Sequence, residues 1–256
     1  MKYISGIATD IGIKKSTNQD SVILRIGKTV NEDVALIVLC DGMGGLSKGE
    51  LASAEVVRAF TNWFDEKLAD ALQSQTGFDK IIEEWKEILY YQNEKLYNYG
   101  KDNGVNLGTT ISAVLMVNNA YAIVNVGDSR VYRLTGKLEQ ITEDQSLVAR
   151  EVKLGRLTPE EASVDPRRNV LLQCVGATAD LEINSYTGEL KIGEAMLLCS
   201  DGFRHMITPE EIYNEISPEK VLNDIVATSK LETLIKVNKE RQETDNITAV
   251  YIKLGE

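Results

Sequence analysis

The sequence predicts an α+β chain in which antiparallel sheets are covered by helices. Three observations carry this. Short runs rich in valine, isoleucine and tyrosine recur at residues 3–9, 21–26, 34–40, 110–117, 121–126, 131–134, 137–141, 195–199 and 247–254, with glycine, asparagine or aspartate at their ends. Two pairs of these runs are joined tightly enough to be hairpins, one through Asn118-Asn119 and one through Gly136-Lys137. The helical patterns come in long blocks rather than one after every strand, which argues against an alternating βαβ sheet.

The helices follow from spacing. Val57, Phe60, Phe64, Leu68 and Leu72 recur every three or four residues, as do Ile82, Trp85, Leu89 and Leu96. Both stripes read as core-facing. Thr208-Pro209-Glu210-Glu211 opens a further helix, with Thr208 as N-cap and proline in the first turn. Ser217-Pro218-Glu219 reads as the same device ahead of a helix running to about residue 237. No internal repeat or proline-rich linker divides the chain, and a single domain is expected over residues 1–256.

Composition narrows the function classes. The 256 residues carry 28 lysines and arginines against 39 aspartates and glutamates, a net charge of −11. That balance disfavours nucleic acid, which is bound largely through basic side chains on phosphates. The longest clean apolar run in the first half, residues 34–40, falls far short of the roughly 20 residues of a membrane-spanning helix, so no membrane association is expected. The first ten residues lack the apolar stretch and cleavage site of a signal peptide. Cys40, Cys174 and Cys199 are too far apart for a zinc cluster and read as buried, reduced thiols of a cytoplasmic protein.

The acids carry the chemistry. Asp41 follows the run 34–40, Asp128 follows 121–126 and Gly127, Asp201 follows 195–199, and Asp245-Asn246 precede 247–254. Four aspartates thus stand at the ends of four apolar strands, and in antiparallel sheets such ends meet at one rim. Read without basic partners, four convergent carboxylates repel one another and resist ionisation. A divalent cation removes that conflict, and an all-oxygen set favours Mg²⁺ or Mn²⁺ over zinc. Glycine beside the aspartates lets a main-chain carbonyl approach an ion.

Two apparent motifs fail. Gly27-Lys28-Thr29 lacks the upstream glycine of a phosphate loop, having Val22 there. Gly42-Met43-Gly44-Gly45 has Ser47 at the third glycine position of a dinucleotide loop and an aspartate at its start.

Six motifs occur in order: Asn18-Gln19-Asp20, Asp41-Gly42-Met43-Gly44-Gly45, Gly108-Thr109-Thr110, Val126-Gly127-Asp128-Ser129-Arg130, Cys199-Ser200-Asp201-Gly202 and Asp245-Asn246-Ile247-Thr248. Together they resemble the metal-dependent protein serine/threonine phosphatases, the type-2C or PPM family, in its compact bacterial form. The resemblance implies a four-layer αββα sandwich with two central antiparallel sheets. It implies two core Mn²⁺ or Mg²⁺ ions: Asp41 bridges them, the Gly42 carbonyl binds one, and Asp201 and Asp245 complete the second. Asp128 holds a third, weaker ion with Asp201. Asp20 is a supporting acid, Asn246 steadies the Asp245 loop, and residues 144–176, with Arg167, Arg168 and Asn169, resemble the flap beside the active site.

Two positions depart from the family. Lys15 stands where an arginine usually anchors the substrate phosphate, offering a point charge instead of a two-pronged fork. Met43 stands where many relatives carry a histidine that is a candidate general acid. His205, the only histidine, is the other candidate, although it reads more readily as a surface residue at a helix start.

The expected reaction is hydrolysis of phosphoserine and phosphothreonine in proteins by a hydroxide bridging the two ions, with Lys15 on the phosphoryl oxygens. Phosphorylated proteins, a cognate serine/threonine kinase and a monomeric state complete the expectation. A catalytically silent phosphoprotein-binding module and a metal-dependent phosphodiesterase remain the alternatives.

Overall fold

Alternation along one strand sets the layers. The computed structural model describes residues 2–43, 48–73 and 77–255. In it, Val34, Leu36, Val38 and Cys40 of one strand face a cluster containing Phe60, Trp63 and Trp85, whereas Ala35, Ile37 and Leu39 face a different cluster containing Val114, Met196, Leu198 and Val250. Successive side chains of a strand point to opposite faces, so this strand is buried on both sides. A second strand behaves alike: Ala195, Leu197 and Cys199 pack with Phe203, Leu231 and Leu234, and Met196 and Leu198 face inward. Three apolar interfaces separate four layers, helix, sheet, sheet and helix, as the fold class required.

The strands are β1 (Tyr3–Asp10), β2 (Asp20–Lys28), β3 (Asp33–Met43), β4 (Gly108–Thr109), β5 (Ile111–Val117), β6 (Ala120–Val126), β7 (Arg130–Leu134), β8 (Leu138–Gln140), β9 (Asn184–Glu189), β10 (Ala195–Cys199) and β11 (Ile247–Leu254). One sheet has the order β1-β11-β10-β7-β8 and the other β2-β3-β5-β6-β9, with β4 paired to the end of β3. Every pairing is antiparallel. The helices are α1 (Gly49–Glu66), α2 (Leu68–Leu72), α3 (Phe78–Asn103), α4 (Leu147–Lys153), α5 (Pro159–Val164), α6 (Asp201–Arg204), α7 (Pro209–Ile216) and α8 (Asp224–Glu240). Helices α1 and α3 cover the second sheet through a nest of rings, with Trp85 centred 5.1 Å from Phe60 and 5.4 Å from Trp63. No described helix is long and apolar enough to cross a membrane. The three cysteines are buried and free.

The hairpin at Asn118-Asn119 forms, with Val117 opposite Ala120 and Asn118 in the left-handed region at φ 55°. Thr208 caps α7 in a complete capping box with Glu211. The device expected at Ser217-Pro218 does not start a helix. Ser217 ends α7, Lys220 N–H returns to the Ser217 carbonyl at 2.9 Å to close one turn, and α8 begins later with Asn223 accepting from Val226 N–H. That helix runs to Glu240 rather than stopping near residue 237. Strand β9 is an addition. Its sequence NSYTGE alternates between half-buried and exposed positions at a sheet edge, so no apolar run announces it.

Candidate active site

Antiparallel pairing gathers the acids. Asp20 begins β2 directly opposite Asp41 near the end of β3. Strand β3 continues through Gly42 and Met43 because β4 pairs with them. The Asp41 backbone is gripped from both sides: its N–H donates to Thr110 Oγ1 at 3.0 Å, and its carbonyl accepts from Thr110 N–H at 2.9 Å and Thr109 Oγ1 at 3.0 Å. Gly127, at φ +98°, turns the chain out of β6 into Asp128, and a Cβ there would lie 2.6 Å from Thr110 Cγ2. Asp201 opens α6 just after β10, and Asp245 stands just before β11. Asp41, Gly42, Asp128, Asp201, Asp245 and Lys15 border one cleft of about 180 Å³, with Asn169 and Leu171 of segment 144–176 at its edge.

Gly42 has a steric reason to be glycine. A Cβ would lie 2.3 Å from the Gly49 carbonyl oxygen and 2.5 Å from that of Gln19, and its own N–H donates to Gln19 O at 3.1 Å. Gly44 and Gly45 of the same motif, and Ser47 after it, lie outside the described residues.

The reading of carboxylates without basic partners needs correction. Lys15 Nζ lies 2.6 Å from Asp245 Oδ1, and Arg204 Nη2 lies 3.4 Å from Asp128 Oδ2. Negative charge nevertheless dominates. Burial, then repulsion by Asp20, Asp201, Asp245 and Asp128, holds the Asp41 carboxyl well above the usual range. Asp20 is pushed up to about 7, chiefly by burial, against the opposing hydrogen bonds of Thr248 and Ser200. Asp128 also rises to about 7, from burial and then Asp201, with Arg204 opposing. Burial pulls Lys15 down, but its hydrogen bond to Asp245 and the charges of Asp245, Asp41 and Asp201 outweigh this, so it remains a cation through neutral pH.

Asn246 donates its N–H to Asp245 Oδ1 at 2.8 Å, and its side chain holds a second loop as well. Its Oδ1 accepts from Gln19 N–H at 2.9 Å, and its Nδ2 donates to the carbonyls of Ile11 at 2.9 Å and Thr17 at 3.1 Å. It therefore holds the segment 11–19 that carries Lys15. The Asp245 loop is held by Glu243, whose Oε1 accepts from Thr244 N–H at 2.7 Å and Asp245 N–H at 2.9 Å. The two segments touch at Gly12, where a Cβ would meet the Asp245 carbonyl oxygen at 2.2 Å.

His205 is not the surface residue expected. Its side chain is 15 % exposed, with Nε2 3.5 Å from Asp201 Oδ2 and Nδ1 3.5 Å from Glu243 Oε2. It stands behind Asp201 and is not among the residues that border the cleft. Met43 does border the cleft, and its Sδ lies 3.1 Å from Cys174 Sγ. Glu243, Arg204 and Asp144 escaped the sequence reading. The one available signal was local: a helix starting at Asp201 brings residues 204 and 205 back beside it.

The donor set suits divalent cations. Oδ1 of Asp20 and Oδ1 of Asp201 are buried without hydrogen-bond partners. Such orphaned oxygens, in a cleft where carboxylates raise one another's proton affinity, are what a hard cation satisfies. Among the described residues no three of His, Cys, Asp or Glu stand together in a way that could hold a metal ion. The acids nevertheless border a shared cleft, where a cation would offset their mutual repulsion.

This predicts a specific pH dependence. Asp20 and Asp128 take up protons near pH 7 when folded but near the ordinary carboxylate range when unfolded, so the folded state holds more protons in between. Stability of metal-free protein should therefore fall as pH rises from about 4 to about 7. Added Mn²⁺ should raise the melting temperature at pH 7 more than at pH 5, read by thermal unfolding with and without chelator.

Comparisons with known proteins cover the whole chain. A family model described as protein phosphatase 2C matches residues 13–241. Protein phosphatase PhpP of Streptococcus pneumoniae is 32 % identical over 98 % of this chain and 97 % of its own length. A solved serine/threonine phosphatase of S. agalactiae superposes with a TM-score of 0.85 at 30 % identity, covering 99 % of this chain and 100 % of that one. The catalytic domain of the serine/threonine phosphatase PstP, solved in complex with two manganese ions, gives a TM-score of 0.78 at 27 % identity, covering 100 % of both chains.

Proposed function

This chain belongs to the protein phosphatase 2C family of protein serine/threonine phosphatases, and on that premise we propose that it acts as a cytoplasmic monomer that counteracts a serine/threonine kinase. The observation that carries the reading is the meeting of Asp41, Asp201, Asp245 and Lys15 on one cleft. Asp41, the Gly42 carbonyl, Asp201 and Asp245 would hold two Mn²⁺ or Mg²⁺ ions, with Asp20 behind them. When bound, the ions supply Lewis acidity, lowering the pKa of water and offsetting charge on phosphoryl oxygens.

The chain's own groups do the rest. Lys15 has three donors and uses one on Asp245, leaving two for phosphate oxygens. Asn246 fixes the backbone that presents it. Segment 144–176 acts as a flap: its ends are pinned by Leu172 N–H to the Gln145 carbonyl and by the mutual pairing of Thr109 with Val175, which leaves Asn169 and Leu171 facing the substrate. Glu243 and His205 keep Asp245 and Asp201 in place.

The reading is tested by assaying a phosphothreonine peptide and a phosphodiester side by side. Mn²⁺-stimulated release of phosphate from the peptide, lost on adding chelator and absent with the diester, is expected. Hydrolysis that survives chelation contradicts it, and binding of the peptide without turnover points to a silent module.

A further inference from the structure

The acids at the cleft fall into two groups by charge. Among the described residues, Lys15 is the cation facing Asp245, Asp41 and Asp201, and Asp20 adds a further acid beside them. Asp128 also belongs to a second group that holds two cations, Asp128 and Asp144 facing Arg130 and Arg204, although Asp201 still acts on it. Arg130 grips Asp144 with two bonds of 2.8 and 2.7 Å. Arg204 Nη2 lies 3.1 Å from the Asp128 carbonyl oxygen, 3.4 Å from Asp128 Oδ2 and 3.8 Å from Asp144 Oδ2. Its side chain is 13 % exposed.

We propose that Arg204 stands in for a third cation at Asp128, so that this chain holds two divalent ions and not three. The inference rests on the reading that the first group binds divalent ions. Its physical basis is placement. Arg204 lies three residues after Asp201 on the same short helix, so the scaffold that presents Asp201 also brings its guanidinium to Asp128, which borders the cleft. A tethered cation competes at a high effective concentration with any ion from solution. Guanidinium keeps its charge at every working pH, so the competitor is not removed by titration. An ion arriving at Asp128 must also approach two fixed positive charges, Arg204 and, behind Asp144, Arg130. Arg204 Nε is buried without a partner, so it is the Nη2 end, turned to Asp128 and Asp144, that accounts for its position.

Mn²⁺ alone is the probe, titrated by calorimetry with the free ion followed by electron paramagnetic resonance, up to about 1 mM, the weak end of protein affinities for divalent ions. Wild type is expected to bind two ions. Arg204→Gln is expected to bind three, and Arg204→Gln with Asp128→Asn two again. Arg204→Lys, which keeps the charge, stays at two. Three ions in the wild type, or two in Arg204→Gln, overturn the inference while leaving the phosphatase reading intact. No ion in the wild type overturns both. Should Arg204→Gln fail to fold, Asp128→Asn alone decides: two ions at unchanged affinity are expected, and a count of one overturns the inference.

Discussion

Asp201→Asn is expected to lower phosphatase turnover by at least about a hundredfold, the scale of losing one preorganised electrostatic contributor to a transition state, while leaving the metal-free protein as stable as the wild type or more so. The two readouts move apart for one reason. Asp201 repels Asp41, Asp20 and Asp128, and each of those carboxyls is pushed up in part by its charge. One of its oxygens is buried without a partner. Asparagine has the same shape and no charge, so the repulsion is relieved and the fold gains, while the cation-binding charge is lost. Sites of this kind trade stability for activity. Turnover within tenfold of wild type, or a melting temperature well below it, contradicts the assignment. The second outcome would make Asp201 a structural acid.

Lys15→Ala comes next in size. The Lys15–Asp245 pair is short, at 2.6 Å, but its side chains are 38 % and 29 % exposed. Water screens such a pair to about 1 kcal/mol or less, so the melting temperature should barely move. A charge-assisted hydrogen bond to a phosphate is worth about 1.5–3 kcal/mol, which corresponds to a loss of roughly 10- to 150-fold in kcat/KM. Lys15→Arg should retain most of the activity or exceed it, because guanidinium grips a phosphate with two parallel bonds. Unchanged kcat/KM in Lys15→Ala would mean that Lys15 serves only to hold Asp245.

Most of the architecture was legible because apolar alternation is written into the strands themselves. Residues 34–40 read as a buried strand, and its two faces became the two sides of one sheet. The rims were legible because aspartate beside glycine after an apolar run is conspicuous. Less conspicuous features escaped. Strand β9 takes its pairing from a neighbour rather than from its own hydrophobicity. Ser217-Pro218 carries a helix-start signature that tertiary packing does not use, because Val221 is buried and the chain enters α8 only at Asn223.

The partners of the acids were the hardest to foresee. Lys15 and Asp245 are far apart in sequence, as are Arg204 and Asp128, and Glu243 and His205 meet only once β11 and α6 are packed. Asn246 carries more than its motif announced: its N–H bonds Asp245, and its side chain also bonds the loop of Lys15, far away in sequence. Spacing along a chain reports which groups are present at a rim, and only the fold reports which of them neutralise one another.

A crystal grown in Mn²⁺, with anomalous difference maps collected at the manganese edge, examines the shared cleft most directly. Two peaks are expected, both touching Asp41, one reached by the Gly42 carbonyl and the other by Asp201 and Asp245. Maps empty at that cleft, or peaks confined to acids elsewhere on the surface, would contradict the account.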